Sequence, residues 1–476
     1  MDARDQRLAE LARQNAELRA QLAVALARIA ELEEKLRQAS SNSSKPPSSD
    51  MPWNKRHPKK KPTGRTPGAQ PGRERTPRPL VPAEQVTERV VCTPTACDGC
   101  GGAVRGRDPA PRRIQTFELP KVVPVVTEYE LHTLPCLRCG RRTCARPPAG
   151  ADIAVFGPRV EATVAVLAGV YRLSKRSIAD VLAGLFGLPL SVGAVVGLQM
   201  AASAALAPAH EEACAQVARE RVKNADETGW RQGRARAWLW TVVTASVTMF
   251  VVAARRNAAV AQQLLGRALG VLGTDRHGAY TWWPTGDRQL CWAHLVRDLR
   301  AMQERGGEAA AIATELLAQK DRLFGWWHRV RDGTLQRSTF RVYARGVQRR
   351  VEALLERGQA RSMGPPKSRK VLVRLWNLRA ALFTFVRVEG VEPTNNVAER
   401  AVRHAVLWRR TSYGTKSAAG SRFVERMLTV HASCRQQGRS VVAFVEAACR
   451  AARAGTASPS LLAHDAEPAA SLAEAA

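Results

Sequence analysis

The sequence predicts a multidomain α+β chain, and three observations carry that prediction. Leucine-rich heptads run through residues 8–36. Six of the ten cysteines fall between Cys92 and Cys144, in two mirrored clusters. Beyond residue 221 the apolar spacing changes from the period of helices to the alternation of strands, and after residue 303 it turns helical again. At 476 residues the chain can hold several domains, and an apolar content of 45% is enough to bury a substantial core.

The chain carries 73 Lys and Arg against 42 Asp and Glu, a formal net charge of +31. That surplus points to a polyanion, with nucleic acid ahead of an anionic membrane surface. Two uncharged runs, 181–210 and 237–254, are read as soluble elements and not as membrane spans. The first is rich in small residues and broken at Pro189, and the second has the Val and Thr content of paired strands. Ten cysteines in so long a chain do not make a secreted disulfide scaffold, and charged heptads stand where a leader would be apolar. The expectation is a cytoplasmic, nucleoid-associated protein with no membrane partner.

Residues 1–39 place Leu8, Leu11, Asn15, Leu18, Leu22, Ala25, Ile29, Leu32 and Leu36 on one a/d seam, which predicts a parallel homodimeric coiled coil. Asn15, at an a position, fixes register and favours two strands; a lone amphipathic helix is the alternative. Residues 40–82 are Ser, Pro, Gly, Lys and Arg rich and read as a disordered basic linker. There Lys59, Lys60 and Lys61 are candidate phosphate contacts that read no bases. Residues 83–150 hold Cys92-x4-Cys97-x2-Cys100 and Cys136-x2-Cys139-x4-Cys144. Paired CxxC knuckles at that separation predict one structural, tetrahedral zinc ion on Cys97, Cys100, Cys136 and Cys139, with strands around 128–131. Cys92 and Cys144 are left as supplementary ligands or buried thiols. Residues 151–220 read as helices, and 173–200 has the outline of a helix-turn-helix with an almost uncharged second helix.

Residues 221–303 read as three strands, a helix from 257 to 269, a fourth strand ending at Asp275, and a fifth near 290–292 followed by a helix. That order matches a ribonuclease H-like fold, in which acidic residues at neighbouring strand ends meet a carboxylate from a late helix. Asp226, Asp275 and Glu399 fit those places. Three convergent carboxylates can hold a pair of hard divalent cations, Mg2+ or Mn2+, as phosphodiester cleavage requires. Each has a structural alternative. Glu227 could be the ligand in place of Asp226, Asp275 could form a turn ahead of Gly278, and Glu399 could close a capping box on Asn396. His294 is read either as an assistant to the site or as a structural histidine.

The chain resembles bacterial transposases of the insertion-sequence 66 family over nearly its whole length. The resemblance rests on the zipper, the double CxxC region, Asp226-Glu227-Thr228-Gly229-Trp230, Gly273-Thr274-Asp275-Arg276 with Gly278 and Tyr280, Cys291-Trp292-Ala293-His294-Leu295, and Asn395-Asn396 through Ala398-Glu399-Arg400. It implies a DDE transposase with Asp226, Asp275 and Glu399 as catalytic metal ligands. Such an enzyme binds the terminal inverted repeats of its element, cuts its ends and joins them to target DNA, and accessory proteins of the same element are compatible partners. The helical, Arg-rich stretch 304–388 becomes an insertion whose Trp326, Trp327 and Trp376 are read as core, and 389–454 returns to the core with the Glu399 helix. Arg403, Arg409, Arg410 and Lys416 are candidate DNA contacts, and the tail 455–476 is expected to be disordered. The fold class is thus a multidomain α+β chain with an N-terminal coiled coil, a zinc-binding β domain, a helical DNA-binding region and a ribonuclease H-like core with a helical insertion. The alternatives are a zinc-dependent DNA-binding dimer without catalysis, and a nuclease of the same fold without strand transfer.

Overall fold

A computed structural model describes residues 3–38, 42, 78–360 and 366–462. These divide into two compact units. One contains 3–38, 42, 203–360, 366–437 and 458–462; the other contains 78–202 and 438–457. The division between the units runs through two of the expected segments. The 151–220 helical zone splits at residue 203, and 389–454 splits after Gln437. Lys59, Lys60, Lys61 and nearly all of the basic linker lie outside the described residues.

In the first unit, α1 (Ala3–Arg37) is one continuous helix. Its seam residues Leu8, Leu11, Leu18, Leu22, Ile29, Leu32 and Leu36 are all exposed. The sheet of this unit comprises β3 (Val222–Gln232), β4 (Ala235–Val243), β5 (Thr248–Ala253), β6 (Val271–Thr274) and β7 (Arg288–Leu290), in the order β5-β4-β3-β6-β7. The first three form an antiparallel meander, and β6 and β7 run parallel to β3. The predicted fifth strand thus sits slightly earlier than expected. Helix α6 (Ala258–Leu265), capped by the Asn257 side chain, makes the crossover from β5 to β6. Gly273 permits the close β3–β6 pairing, because a Cβ there would lie 2.5 Å from Asn224 Oδ1.

Helices α12 (Asn396–Ser412) and α13 (Ala418–Gln436) pack on one face of this sheet, around Trp230, Leu239, Phe250, Val402, Ala405, Val424 and Leu428. Helix α13 also closes the sheet edge. The backbone N–H groups of Val252, Phe250 and Thr248 donate to Glu425 (2.7 Å), Thr429 (3.0 Å) and Ser433 (3.0 Å). Four residues of helix rise about 6 Å, nearly the span of two strand residues, so side chains at i, i+4 and i+8 meet alternate strand amides. An edge that would otherwise pair with another chain is thereby covered.

A second core gathers α7 (Trp292–Arg305), α8 (Glu308–Arg331), α9 (Arg337–Arg357), α10 (Pro366–Asn377) and the short α11 (Thr384–Arg387), together with Val271 and Leu290 from the sheet. Trp327, Phe340 and Phe385 form its aromatic centre, with Trp326 and Trp376 packed against it, so the tryptophans of the insertion are core residues as expected. The insertion recruits α7 into this core and so begins earlier in packing terms than residue 304. Beyond Gly455 the expected disorder does not hold for the residues described. Leu461 is fully buried, and Ser460 and Leu461 donate to the Glu212 carboxylate of α5 (Ala207–Arg219) at 2.6 and 2.7 Å.

The second unit contains α2 (Pro158–Gly169), α3 (Lys175–Phe186) and α14 (Val441–Ala454), with Arg453 of α14 bonded to the buried Glu161 of α2. Helix α3 starts at a Ser174 cap and ends at Gly187 in the left-handed region, and α4 (Val192–Ala205) follows, close to the helix-turn-helix outline. The cysteine region contains one two-stranded ladder, β1 (Thr133–Pro135) with β2 (Arg142–Cys144), and none of residues 83–150 is buried. The strands expected around 128–131 lie instead against the second knuckle. No single described helix is long and apolar enough to cross a membrane.

Candidate active site

Strand β3 meets β6 through the pairs Val222–Val271, Lys223–Leu272 and Asn224–Gly273. Continuing that register by two residues sets Asp226 beside Asp275, where the parallel ladder opens. Asp226 is therefore inside a long strand and not at its end. β3 outruns its parallel partner because it also forms the hairpin with β4, from Asn224–Val243 to Gln232–Ala235.

Strand alternation separates the two acids of the Asp226-Glu227 pair. Asp226, Thr228 and Trp230 share a face, and Trp230 packs against Val402 and Ala405 of α12. Glu227 points the other way and is fully engaged there. Arg256 Nε donates to its Oε1 at 2.5 Å, the Tyr280 hydroxyl donates to its Oε2, and the side chain is 1% exposed. The acid facing the α12 side is Asp226.

The loop before α12 is stitched to both neighbours. Asn395 Nδ2 donates to the Ala225 carbonyl (2.7 Å), the Asn395 N–H donates to Cys291 Sγ (3.2 Å), and the Trp292 N–H donates to the Pro393 carbonyl (3.0 Å). The N-cap of α12 is Asn395, so Glu399 is the fourth helical residue and its side chain closes no capping box. Instead its Oε1 lies 3.4 Å from His294 Nδ1, 3.8 Å from Arg297 Nη2 and 3.9 Å from Cys291 Sγ.

The carboxylates act strongly on one another. Burial pushes Asp226 well above the usual carboxyl range, and the charges of Glu227, Asp275 and Glu399 push it further. Among the described residues no Lys, Arg or His pairs with Asp226; its one donor is the Glu227 N–H at 2.9 Å. Burial also raises Glu227, with Asp275 adding to the effect and Arg256 opposing it. Burial raises Glu399, while Arg297 pulls it down and Asp275 raises it. Asp275 accepts from the His277 N–H at 2.7 Å and lies 3.8 Å from Arg256 Nη2. His294 is driven down to about 4 by burial and by the Arg297 charge. The buried carboxylates that act on Asp226 offer oxygen ligands of the kind hard divalent cations take. The oxygens of Asp226, Asp275 and Glu399 do not all lie within 4.8 Å of one another.

The cysteine knuckles are two matching turns. The Cys97 N–H donates to the Gly102 carbonyl and the Gly101 N–H to the Cys97 carbonyl; Cys136 with Arg141, and Gly140 with Cys136, repeat the pattern. Backbone N–H groups, from Gly99 first and then Cys100, hold the Cys97 thiol below its usual range, and those of Cys139 and Arg138 do the same for Cys136. Each half fits a thiolate-bound ion. The halves are not gathered: no three of the six sulfurs lie within 4.8 Å of one another. Cys92 and Cys144 are exposed, which removes the reading of them as buried thiols.

Of the proposed phosphate contacts, Arg403, Arg410 and Lys416 are exposed. Arg409 is not a free cation. Its Nη1 donates to the Gly229 carbonyl (2.7 Å) and to Thr228 Oγ1 (3.1 Å), tying α12 to β3. Beside this tie, Arg231, Arg234, Arg236, Arg410 and Tyr413 help to line a cleft of about 590 Å³. The sequence reading missed Arg256, Arg297 and the Asn395 stitch. Tyr280 and Cys291 were visible only as motif members, without a role.

No curated protein matches this chain. Residues 2–79 match a family of unknown function, DUF6444. Residues 154–422, over half of the chain and all three of Asp226, Asp275 and Glu399, match the Transposase IS66 family, and the chain belongs to that family.

Proposed function

We propose that this protein is a DDE DNA transposase with a ribonuclease H-like core, in which Asp226, Asp275 and Glu399 hold two Mg2+ or Mn2+ ions. One observation carries the reading: the β3–β6 register sets Asp226 beside Asp275, and the stitched loop before α12 brings Glu399 into their field. The strand order β5-β4-β3-β6-β7 and family membership support it. The ions supply charge for the attacking and leaving oxygens of an in-line displacement at phosphorus. The chain's own residues do the rest. Arg256 pairs with Glu227 and the Tyr280 hydroxyl donates to it, so the carboxylate left without a cation is Asp226. Asn395 fixes the helix that carries Glu399. Water is the attacking group in cutting the element's ends, and the released 3′ hydroxyl is the attacking group in joining them to target DNA.

Exposed Arg403, Arg410 and Lys416, with the arginine cleft, supply phosphate contacts to the inverted repeats and the target. The exposed leucine seam of α1 supports a homodimer. A structural zinc ion would gather Cys97, Cys100, Cys136 and Cys139. The test is a magnesium-dependent nicking assay on DNA bearing the element's ends. Asp226→Asn, Asp275→Asn and Glu399→Gln should each give folded, DNA-binding, inactive protein; wild-type rates in all three would show that these carboxylates do not carry the cleavage, and DNA binding with no nicking by the wild type would leave a DNA-binding dimer without catalysis. Joined products separate a transposase from a nuclease.

A further inference from the structure

We propose that Cys291 Sγ, His294 Nδ1 and Glu399 Oε1 form a second cation site, selective for a borderline ion of the Zn2+ or Co2+ type and not for magnesium. Among the described residues these are the one group of three or more His, Cys, Asp or Glu whose ligand atoms all lie within 4.8 Å of one another. Their spacing is close to that of a coordination sphere. Tetrahedral zinc with ordinary bond lengths sets sulfur and oxygen about 3.5 Å apart and nitrogen and oxygen about 3.3 Å apart. The observed separations are 3.9 and 3.4 Å.

The local fold prepares all three. Cys291 and His294 flank the first turn of α7, so the x2 spacing puts both on one side of it. The Asn395 N–H donates to Cys291 Sγ, the contact a bound thiolate needs from its surroundings. His294 Nδ1 is buried with no hydrogen-bond partner, an arrangement that costs free energy unless something else uses the lone pair. A thiolate, an imidazole and one carboxylate are a soft-to-borderline set, and they leave one position open as in a three-ligand zinc site. Arg297, 3.8 Å from the same carboxylate oxygen, occupies the neighbourhood without an ion and has to yield to one.

The consequence is competitive. An ion held by Cys291 and His294 takes Glu399 out of the magnesium pair, so zinc is expected to inhibit cleavage at magnesium concentrations that support it. This consequence rests on the assignment of Glu399 to catalysis; the binding does not. Cobalt separates the two. Added to the full chain with Cys97 and Cys136 both replaced by Ser, Co2+ should bind at one equivalent with a thiolate-to-cobalt absorption band. Adding Cys291→Ser should abolish the band, and adding His294→Gln should weaken cobalt binding at least about tenfold, with unchanged circular dichroism in both. A band that survives Cys291→Ser, or no cobalt binding in the parent, overturns the site. In a nicking assay, the ratio of rates with and without micromolar zinc should fall for the wild type and move at least about tenfold toward unity in His294→Gln. Cobalt binding without zinc inhibition would keep the site and remove its competition with Glu399; absence of all nicking would strike the proposed function alone.

Discussion

The cysteine region and the carboxylate site are both metal motifs in the sequence, yet they are built oppositely. Around Asp226 the proposed ligands come from β3, the residue after β6, and α12, and the elements beside them are braced by other groups: Arg256 and Tyr280 on Glu227, Asn395 on the Ala225 carbonyl, and α13 on the amides of β5. Residues 83–150 contain no buried residue, and their knuckles are ordered only within themselves. A core that gathers like charges needs packing to pay for the repulsion. A segment of fewer than about 70 residues with no core needs a staple, and an ion can be that staple. On the proposed function, an ion at the cysteines would put its free energy into the fold, and ions at the carboxylates would put theirs into chemistry.

The largest expected effect breaks the comparison at the cysteine end. Structural zinc contributes about 10–16 kcal/mol to small domains, so its removal should unfold the region locally. Chelation, or Cys97→Ser with Cys136→Ser, should release zinc and open residues 83–150 to protease while the 203–437 unit keeps its melting transition. Equal protection with and without chelator would show that the knuckles need no ion.

At the carboxylate end the order reverses. Asp226→Asn should lower nicking about 10³-fold or more, the several kcal/mol that an ion's charge stabilisation is worth, yet raise Tm by a few degrees in the absence of divalent ions. The sign follows from the raised pKa of Asp226, whose carboxyl holds its proton more tightly in the folded state. A carboxyl raised in the folded state contributes stability below its unfolded value, near pH 4, and loses it as pH climbs through the folded value. The wild type should therefore lose stability with rising pH above about 4 relative to Asp226→Asn, and Mg2+ should reverse the loss. Parallel pH profiles for the two proteins would remove the electrostatic account.

Much of this was legible in the sequence because it is periodic. Heptads, strand alternation and the crossover helix are short-range patterns. What escaped depends on residues far apart in sequence. Asn395 and Ala225 are separated by 170 positions, and no local pattern tells that this amide stitches a helix to a strand. The capping-box reading of Glu399 failed by one residue, since the helix starts from Asn395 and not Asn396, and a one-position change turns the side chain by about 100°. The 128–131 alternation misled for another reason: alternation marks a strand only where one face has something to cover, and here nothing is buried.

A smaller effect sharpens the contrast between the neighbouring acids of β3. Glu227→Ala removes a buried carboxylate that Arg256 and Tyr280 share, at a cost of about 3–5 kcal/mol, whereas Tyr280→Phe removes one charge-assisted donor at about 1.5–3 kcal/mol. Chemical denaturation should rank wild type above Tyr280→Phe above Glu227→Ala. A Glu227→Ala protein as stable as the wild type would mean that Glu227 resembles Asp226 and is no brace.

The smallest effect divides the basic residues of α12. Arg409 spends its guanidinium on Gly229 and Thr228, and burial lowers its basicity, with the Arg410 charge acting in the same direction. Arg403 and Lys416 are exposed, with no such anchor to the strand. Arg409→Met should therefore cost about 1.5–3 kcal/mol of stability, because the Gly229 carbonyl loses a charged donor. Arg403→Ala and Lys416→Ala should leave the denaturation midpoint within about 0.5 kcal/mol of the wild type, as surface changes do. On DNA the ranking inverts. Each exposed cation that neutralises a phosphate contributes about 0.9 to the slope of log K against log salt, so the two alanine variants should each flatten that slope by about one unit, and Arg409→Met by less. A salt slope that falls as far in Arg409→Met as in Arg403→Ala would show that the strand tie opens to take DNA, and that the carboxylate core is less finished before binding than its hydrogen bonds indicate.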